Sequence, residues 1–178
     1  HIEQGPVLEN SNSALGVFTN IAAQIRSEII LNGCAGHAGT IPASLRKDPL
    51  PVASEMILAV NQLCKSDESI RATVGHLEVI PNASNVIPGT VKFSIDMRYP
   101  NLKDLRQIHD KLSKKIKSIA KLTNLNFEYN LVHEARDAKL DEKLTDILSE
   151  SCDIIQGSSI RMFSGAGHDS MKVAPVCP

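Results

Sequence analysis

The chain has 178 residues, of which 42% are hydrophobic and 22% charged, with a formal net charge of −1. That is material for one buried core and part of another, in an ordinary soluble globular composition. The near-neutral charge, the 3% aromatic content and the absence of Trp argue against nucleic-acid partners, and no apolar run is long enough to span a bilayer.

In chain order, His1 to Leu8 reads as a short extended segment broken at Gly5-Pro6, followed by a polar, turn-prone stretch from Glu9 to Ser13. Apolar residues then alternate from Ile21 to Leu31, which predicts a strand with one buried face closed by Asn32-Gly33. Asp48 as N-cap and Pro49 at the first helical position start a helix whose apolar positions are Val52, Met56, Val60 and Leu63. A strand follows over Arg71 to Val79, then a loop bracketed by Pro81-Asn82 and Pro88-Gly89. From Val91 to Arg98 the pattern alternates again, with Val91, Phe93, Ile95 and Met97 on one face and Lys92, Ser94, Asp96 and Arg98 on the other. Asn101 and Asp104 have the spacing of a capping box for a helix with the stripe Leu105, Ile108, Leu112, Ile116 and Ile119. Leu125, Phe127, Tyr129 and Leu131 mark a further strand; beyond it come a helix carrying Leu144, Ile147, Leu148 and Cys152, and a strand near Ser159–Phe163.

The order strand, helix, strand, strand, helix, strand over residues 19–134 predicts an α+β domain of ferredoxin-like type, a four-stranded antiparallel sheet with two helices on one face. Residues 1–18 and 135–178 are expected to be parts of a second domain that this sequence does not complete, its two strands needing a further sheet to join. The opening His1, with no Met and no signal peptide, carries the same expectation of a piece of a longer protein. Cys34, Cys64, Cys152 and Cys177 form no CxxC pair and read as reduced thiols, consistent with a cytoplasmic location.

Four motifs carry chemically useful residues. His1-Ile2-Glu3-Gln4-Gly5 offers a strand-end imidazole, a ligand or a packing residue. Gly36-His37-Ala38-Gly39-Thr40-Ile41-Pro42 puts an imidazole among small residues, where a ligand can approach the backbone closely, or where a loop His simply faces water. Asn85, in Asn85-Val86-Ile87-Pro88-Gly89, and Arg98 together suit a carboxylate, an amide and a guanidinium fork; the plainer reading is a turn Asn and an Arg paired with Asp96. Ser164-Gly165-Ala166-Gly167-His168-Asp169 is a substrate loop or a glycine turn ahead of a capping Asp.

Taken together and in this order, the four motifs resemble the hydantoinase/carbamoylase branch of the M20 metallopeptidase family, which includes N-carbamoyl-amino-acid hydrolases and allantoate amidohydrolases. The resemblance runs through nearly the whole chain. It implies a di-metal catalytic domain, with zinc or manganese, interrupted by a ferredoxin-like lid that also forms a homodimer. By the same resemblance His1 is a metal ligand, Gln4 contacts the carbamoyl group, and His37 stabilises the oxyanion in an active site, that of the partner subunit. Asn85 and Arg98 hold the substrate carboxylate, and His168 is a substrate contact. The family's remaining metal ligands and its catalytic Glu have no counterpart in these residues, so the chain alone is expected to be inactive. Asn20 stands where the family has Gly, and Lys47-Asp48-Pro49 where it has Arg-Asp-Ala. Two other functions stay open: a non-catalytic dimerisation or carboxylate-binding module, and an M20 peptidase or deacylase.

Overall fold

The computed structural model describes residues 3–177. Its first half contains α1 (Val7–Asn10), β1 (Gly16–Ile21), β2 (Ala23–Asn32), β3 (Gly36–His37), a 3-10 turn (Ala43–Leu45), α2 (Pro49–Ser66), β4 (Arg71–Thr73), β5 (Leu77–Ile80) and β6 (Val86–Ile87). The second half contains β7 (Thr90–Tyr99), α3 (Leu102–Lys121), β8 (Asn126–Ala135), β9 (Ala138–Lys139), α4 (Glu142–Gln156), β10 (Ile160–Ser164) and α5 (Ser170–Val173). The result is an α+β protein with mixed sheets. It divides into two compact units, one made of residues 1–24, 98–103 and 135–178, the other of 25–97 and 104–134.

In the second unit the sheet runs β4-β7-β2-β8, with β5 paired antiparallel to β7 from Leu77↔Phe93 to Ile80↔Thr90. Alternation makes its core: Ile25, Ile29 and Leu31 of β2 and Val91, Phe93, Ile95 and Met97 of β7 are all buried. Ala53, Met56 and Val60 of α2 and Leu105, Leu112, Ile116 and Ile119 of α3 are buried too, as their helical spacing demands. On the other sheet face, cross-strand pairs form at Arg26–Asp96 (2.9 Å) and Lys92–Glu28 (2.8 Å). Asp48 caps α2, its carboxylate accepting from the Leu50 N–H at 3.0 Å, with Pro49 at the first helical position.

One strand differs from its sequence prediction. The run Arg71–Val79 is two pieces, β4 and β5, broken at Val74–His76, where Gly75 weakens the strand. The His76 carbonyl still accepts from the Ser94 N–H (3.1 Å), so contact with β7 continues across the break. The sheet therefore has five strands instead of four.

The first unit is built on a three-stranded sheet, β10-β1-β9. β1 and β10, from the two flanking segments, pair parallel with each other, from Gly16↔Ile160 to Ile21↔Ser164 with an irregularity between Phe18 and Asn20. β9 adds antiparallel pairs to the end of β1. Val7 and Leu8, expected at the end of an extended segment over His1–Leu8, instead open the helical turn α1. The Glu3 carboxylate accepts from the N–H groups of Val7 (2.7 Å) and Leu8 (3.0 Å), satisfying donors that a helix start leaves open.

α4 begins at Asp141, which accepts from the Leu144 N–H (2.8 Å), and ends at Gly157, whose φ of 86° is the left-handed stop that glycine adopts without strain. It packs on β1 with small polar residues: Thr145 and Ser149 are buried, and each hydroxyl donates to a carbonyl one turn back. Gln156 extends the attachment, accepting from the Leu15 N–H (3.0 Å) and donating to the Leu15 carbonyl (2.9 Å). The apolar residues of α4 face out: Leu144, Ile147 and Leu148 are more than half exposed, and Ile154 is 87% exposed.

Candidate functional site

In the second unit the structure joins two of the motifs. β3 and β6 form a two-stranded ladder, with Gly36↔Ile87 and His37↔Val86 in register. One residue on, the Ala38 N–H donates to the Asn85 carbonyl at 2.9 Å. His37 and Asn85, 48 positions apart in the sequence by their numbers, thus lie on one short ribbon. Both are exposed, and the Asn85 side-chain amide makes no hydrogen bond among the described residues.

The orientation of His37 is fixed locally. The Gly39 N–H donates to His37 Nδ1 at 3.1 Å. A ring nitrogen that accepts an N–H carries no proton, so the neutral imidazole holds its proton on Nε2 and presents it outward as a donor. The turn closes behind the ring, with the Thr40 and Ile41 N–H groups donating to the His37 carbonyl at 3.2 and 3.3 Å. Arg46, which no sequence motif singles out, donates from Nε to the Ile41 carbonyl (2.9 Å) and from Nη2 to the Ala38 carbonyl (2.6 Å). Bonds from a side chain to backbone carbonyls leave no residue pattern, which is why sequence inspection passes over them.

In the first unit a second pair is made. Arg98, half-buried near the end of β7, donates from Nη1 to the Gly165 carbonyl at 2.6 Å, and so holds the loop after β10. Within that loop the Ser164 hydroxyl and the Ala166 backbone bond each other. His168 repeats the local device of His37: the N–H of the residue two positions on, Ser170, donates to His168 Nδ1 at 3.1 Å, and the Ser170 hydroxyl lies 2.7 Å from the same nitrogen. A neutral ring with Nδ1 accepting carries its proton on Nε2. Asp96, the plainer sequence partner for Arg98, is bonded by Arg26 Nε.

Gln4 is exposed, with φ 57°. That left-handed backbone is uncommon for a residue with a Cβ and strained by about 1 kcal/mol. His1 lies outside the described residues. Among the described residues no three His, Cys, Asp or Glu side chains come together in a way that could hold a metal ion. All four cysteines are free thiols. A mostly apolar groove of about 300 Å³ beside α5, lined by Phe18, Leu144, Leu148, Ser170 and Val173 among others, includes none of Gln4, His37, Asn85, Arg98 and His168.

One further constellation looks catalytic and is not. Ser27 Oγ lies 3.1 Å and Tyr129 Oη 3.0 Å from His109 Nε2, while His109 Nδ1 is 3.9 Å from Asp110. Ser27 is only 2% exposed, so its hydroxyl meets no substrate. The group is a buried polar network between the sheet and α3.

The comparisons with known proteins bear on the same residues. The family model of the M20 peptidase dimerisation domain matches residues 20–124, more than half of the chain. The chain belongs to the M20 peptidase family, in its hydantoinase/carbamoylase branch. It is 39% identical over 99% of its length to an N-carbamoyl-L-amino-acid amidohydrolase of Pseudomonas sp. (strain NS671), and 35% identical over 98% to allantoate deiminase 1 of Glycine max. Among solved structures, an amidase of the hydantoinase/carbamoylase family from Burkholderia multivorans is 34% identical, with a TM-score of 0.95 over 100% of this chain and 44% of that one. The chain spans 43% of the Pseudomonas relative and 42% of the soybean one. Among the described residues no helix is long and apolar enough to cross a membrane.

Proposed function

We propose that this M20 chain supplies the lid and part of the catalytic domain of an amidohydrolase that cleaves the ureido C–N bond of N-carbamoyl amino acids or allantoate-like ureido acids. The observation that carries the reading is the His37 turn, an imidazole whose Nε2–H is aimed outward by the Gly39 N–H on the same ribbon as Asn85. A ureido carbonyl is a poor electrophile, and its hydrolysis builds negative charge on oxygen in the transition state. A fixed, neutral N–H donor suits that oxygen, because it needs no reorganisation as the charge develops.

The other roles follow from donor chemistry. The substrate carboxylate is assigned to Arg98 and to Asn85. Arg98 carries a planar guanidinium whose fork of N–H donors matches the geometry of a carboxylate. Gln4 is assigned to the carbamoyl group and His168 to the substrate. Binding energy from the remote carboxylate is then available to orient the reacting carbon.

In this reading the segment 19–134 is a ferredoxin-like lid through which the protein forms a homodimer, with His37 serving the partner's site. The strand order β4-β7-β2-β8, with β5 beside β7, and the two long helices support it. Residues 1–18 and 135–178 belong to the catalytic domain. The outward apolar face of α4 supports that part, since a helix normally buries such a stripe.

Amidohydrolases of the family generally use divalent metals, zinc or manganese here, to polarise the carbonyl and supply a hydroxide. The described residues do not by themselves fit such an ion, and no step is derived through one. His1, the assigned ligand, lies outside them.

Assay of the full-length protein against N-carbamoyl amino acids, allantoate and N-acyl peptides tests the proposal. Ureido acids should be hydrolysed, while this 178-residue chain alone, supplied with zinc or manganese, should be inert. Activity on acyl peptides but not ureido acids would overturn the substrate class, and hydrolysis by the isolated chain would overturn the division of labour.

A further inference from the structure

We propose that Arg46 is a positioning residue for His37, clamping the turn that aims the imidazole. The proposal rests on the catalytic reading of His37 for its kinetic consequence, but not for its geometry.

The hydrogen-bond accounting of the turn shows why an arginine is needed there. The N–H groups of Gly39, Thr40 and Ile41 all point inward, to His37 Nδ1 or to its carbonyl. The carbonyls of Ala38 and Ile41 point the other way, and Arg46 takes both, at 2.6 and 2.9 Å. Ala38 is therefore held on two sides, its N–H by Asn85 and its carbonyl by Arg46. Without the guanidinium the turn keeps its inner bonds but loses the brace that fixes where Ala38 and Ile41 sit, and with them the plane of the imidazole.

The chemistry is specific to arginine. A planar guanidinium donates from two nitrogens in fixed directions, so it can bridge two carbonyls three residues apart; a lysine ammonium is a point donor on a freer stem. Among the described residues Arg46 forms no ion pair with a carboxylate, so its bonds to the turn are not by-products of a surface salt bridge. Gly39 completes the device: an added Cβ there would sit 3.2 Å from His37 Cε1 and 3.4 Å from Nδ1, so the close approach that lets its N–H reach the ring leaves little room for a side chain.

Two measurements test this. In the 178-residue chain, Arg46→Met should raise the amide exchange rates of Gly39 and Ile41 at least tenfold while those of β7 and α3 stay as they are. Unchanged exchange at Gly39 would overturn the clamp, and Arg46→Lys, able to make one bond of the two, should fall between. In the full-length enzyme, Arg46→Met should lower kcat by roughly ten- to a hundredfold, the range of a small misplacement of a catalytic group, with KM within about twofold. In a His37→Ala background the same change should cost nothing further, because Arg46 acts only through the imidazole. A rise in KM at constant kcat, or a full additive loss in the His37→Ala background, would overturn the positioning role. Should His37→Ala itself leave kcat unchanged while Gly39 exchange rises in Arg46→Met, the catalytic assignment of His37 falls and the clamp stands.

Discussion

His109 sits against Ser27 and Tyr129, and burial holds its pKa below that of a free imidazole, the nearby Asp110 only partly opposing the shift. Burial also raises the Tyr129 phenol, so both groups are neutral at physiological pH. A base whose folded pKa lies below its unfolded value binds its proton more readily in the unfolded chain. Stability is therefore full above the unfolded histidine value of about 6.5 and falls as pH drops below it, through the lower folded pKa. Urea midpoints measured from pH 8 to pH 5 should decline over the acid half of that range, and His109→Gln should flatten the decline. An equal slope in the variant would place the acid sensitivity elsewhere. At this scale the sequence exposed the polar residue types but not their company. The two histidines of the glycine-rich motifs were legible because small neighbours stand beside them, whereas Ser27, His109 and Tyr129 come together only when β2, α3 and β8 pack.

Among the elements, α2, α3 and β7 were the most legible. Each has a long, regular apolar period, and two carry an explicit start signal. Capping residues act through local bonds, so the Asp48 cap read from the sequence survives into the structure, where it bonds Leu50, and the structure adds a second, Asp141 to Leu144. Asp48→Ala and Asp141→Ala should each cost about 1 kcal/mol, read from thermal or urea unfolding, whereas Asn at either position should cost little. Losses well below half that size would mean that water replaces the caps. The split of Arg71–Val79 into β4 and β5 leaves only a faint local trace, a change of phase from Ala72 and Val74 to Leu77 and Val79 with Gly75 between them. Not legible was α1, where the Glu3 carboxylate accepts from N–H groups four and five residues downstream and a helical turn starts at Val7.

For the whole molecule, α4 is the instructive case. Its buried face is Thr145 and Ser149 against β1, and its apolar face is exposed. Hydrophobic periodicity gave the helix correctly but not which face the chain itself covers. If the rest of a catalytic domain covers the apolar face, Ile147→Glu should change the stability of this chain by no more than about 0.5 kcal/mol, as an exposed substitution does, and reduce its self-association in light scattering. In the full-length protein the same change should cost at least about 2 kcal/mol, since a charge would then be buried without a partner. Equal small effects in both would mean the face stays open. The parallel pairing of β1 with β10 belongs to the same scale, joining strands more than a hundred residues apart that no local signal links.

By itself the sequence determined the α+β class, the long helices and the Asp48 cap of α2, the alternating core strand β7, and four motifs whose order matches the hydantoinase/carbamoylase branch. Those features depend on bonds and periodicities spanning a few residues, or on motif order along the chain. Only the tertiary structure decided that His37 and Asn85 share a ribbon, that Arg98 holds the Gly165 carbonyl, and that Arg46 braces the His37 turn. These are pairings of side chains and backbone groups brought together by folding, and a backbone carbonyl is the same in every residue, so nothing in the sequence could announce them.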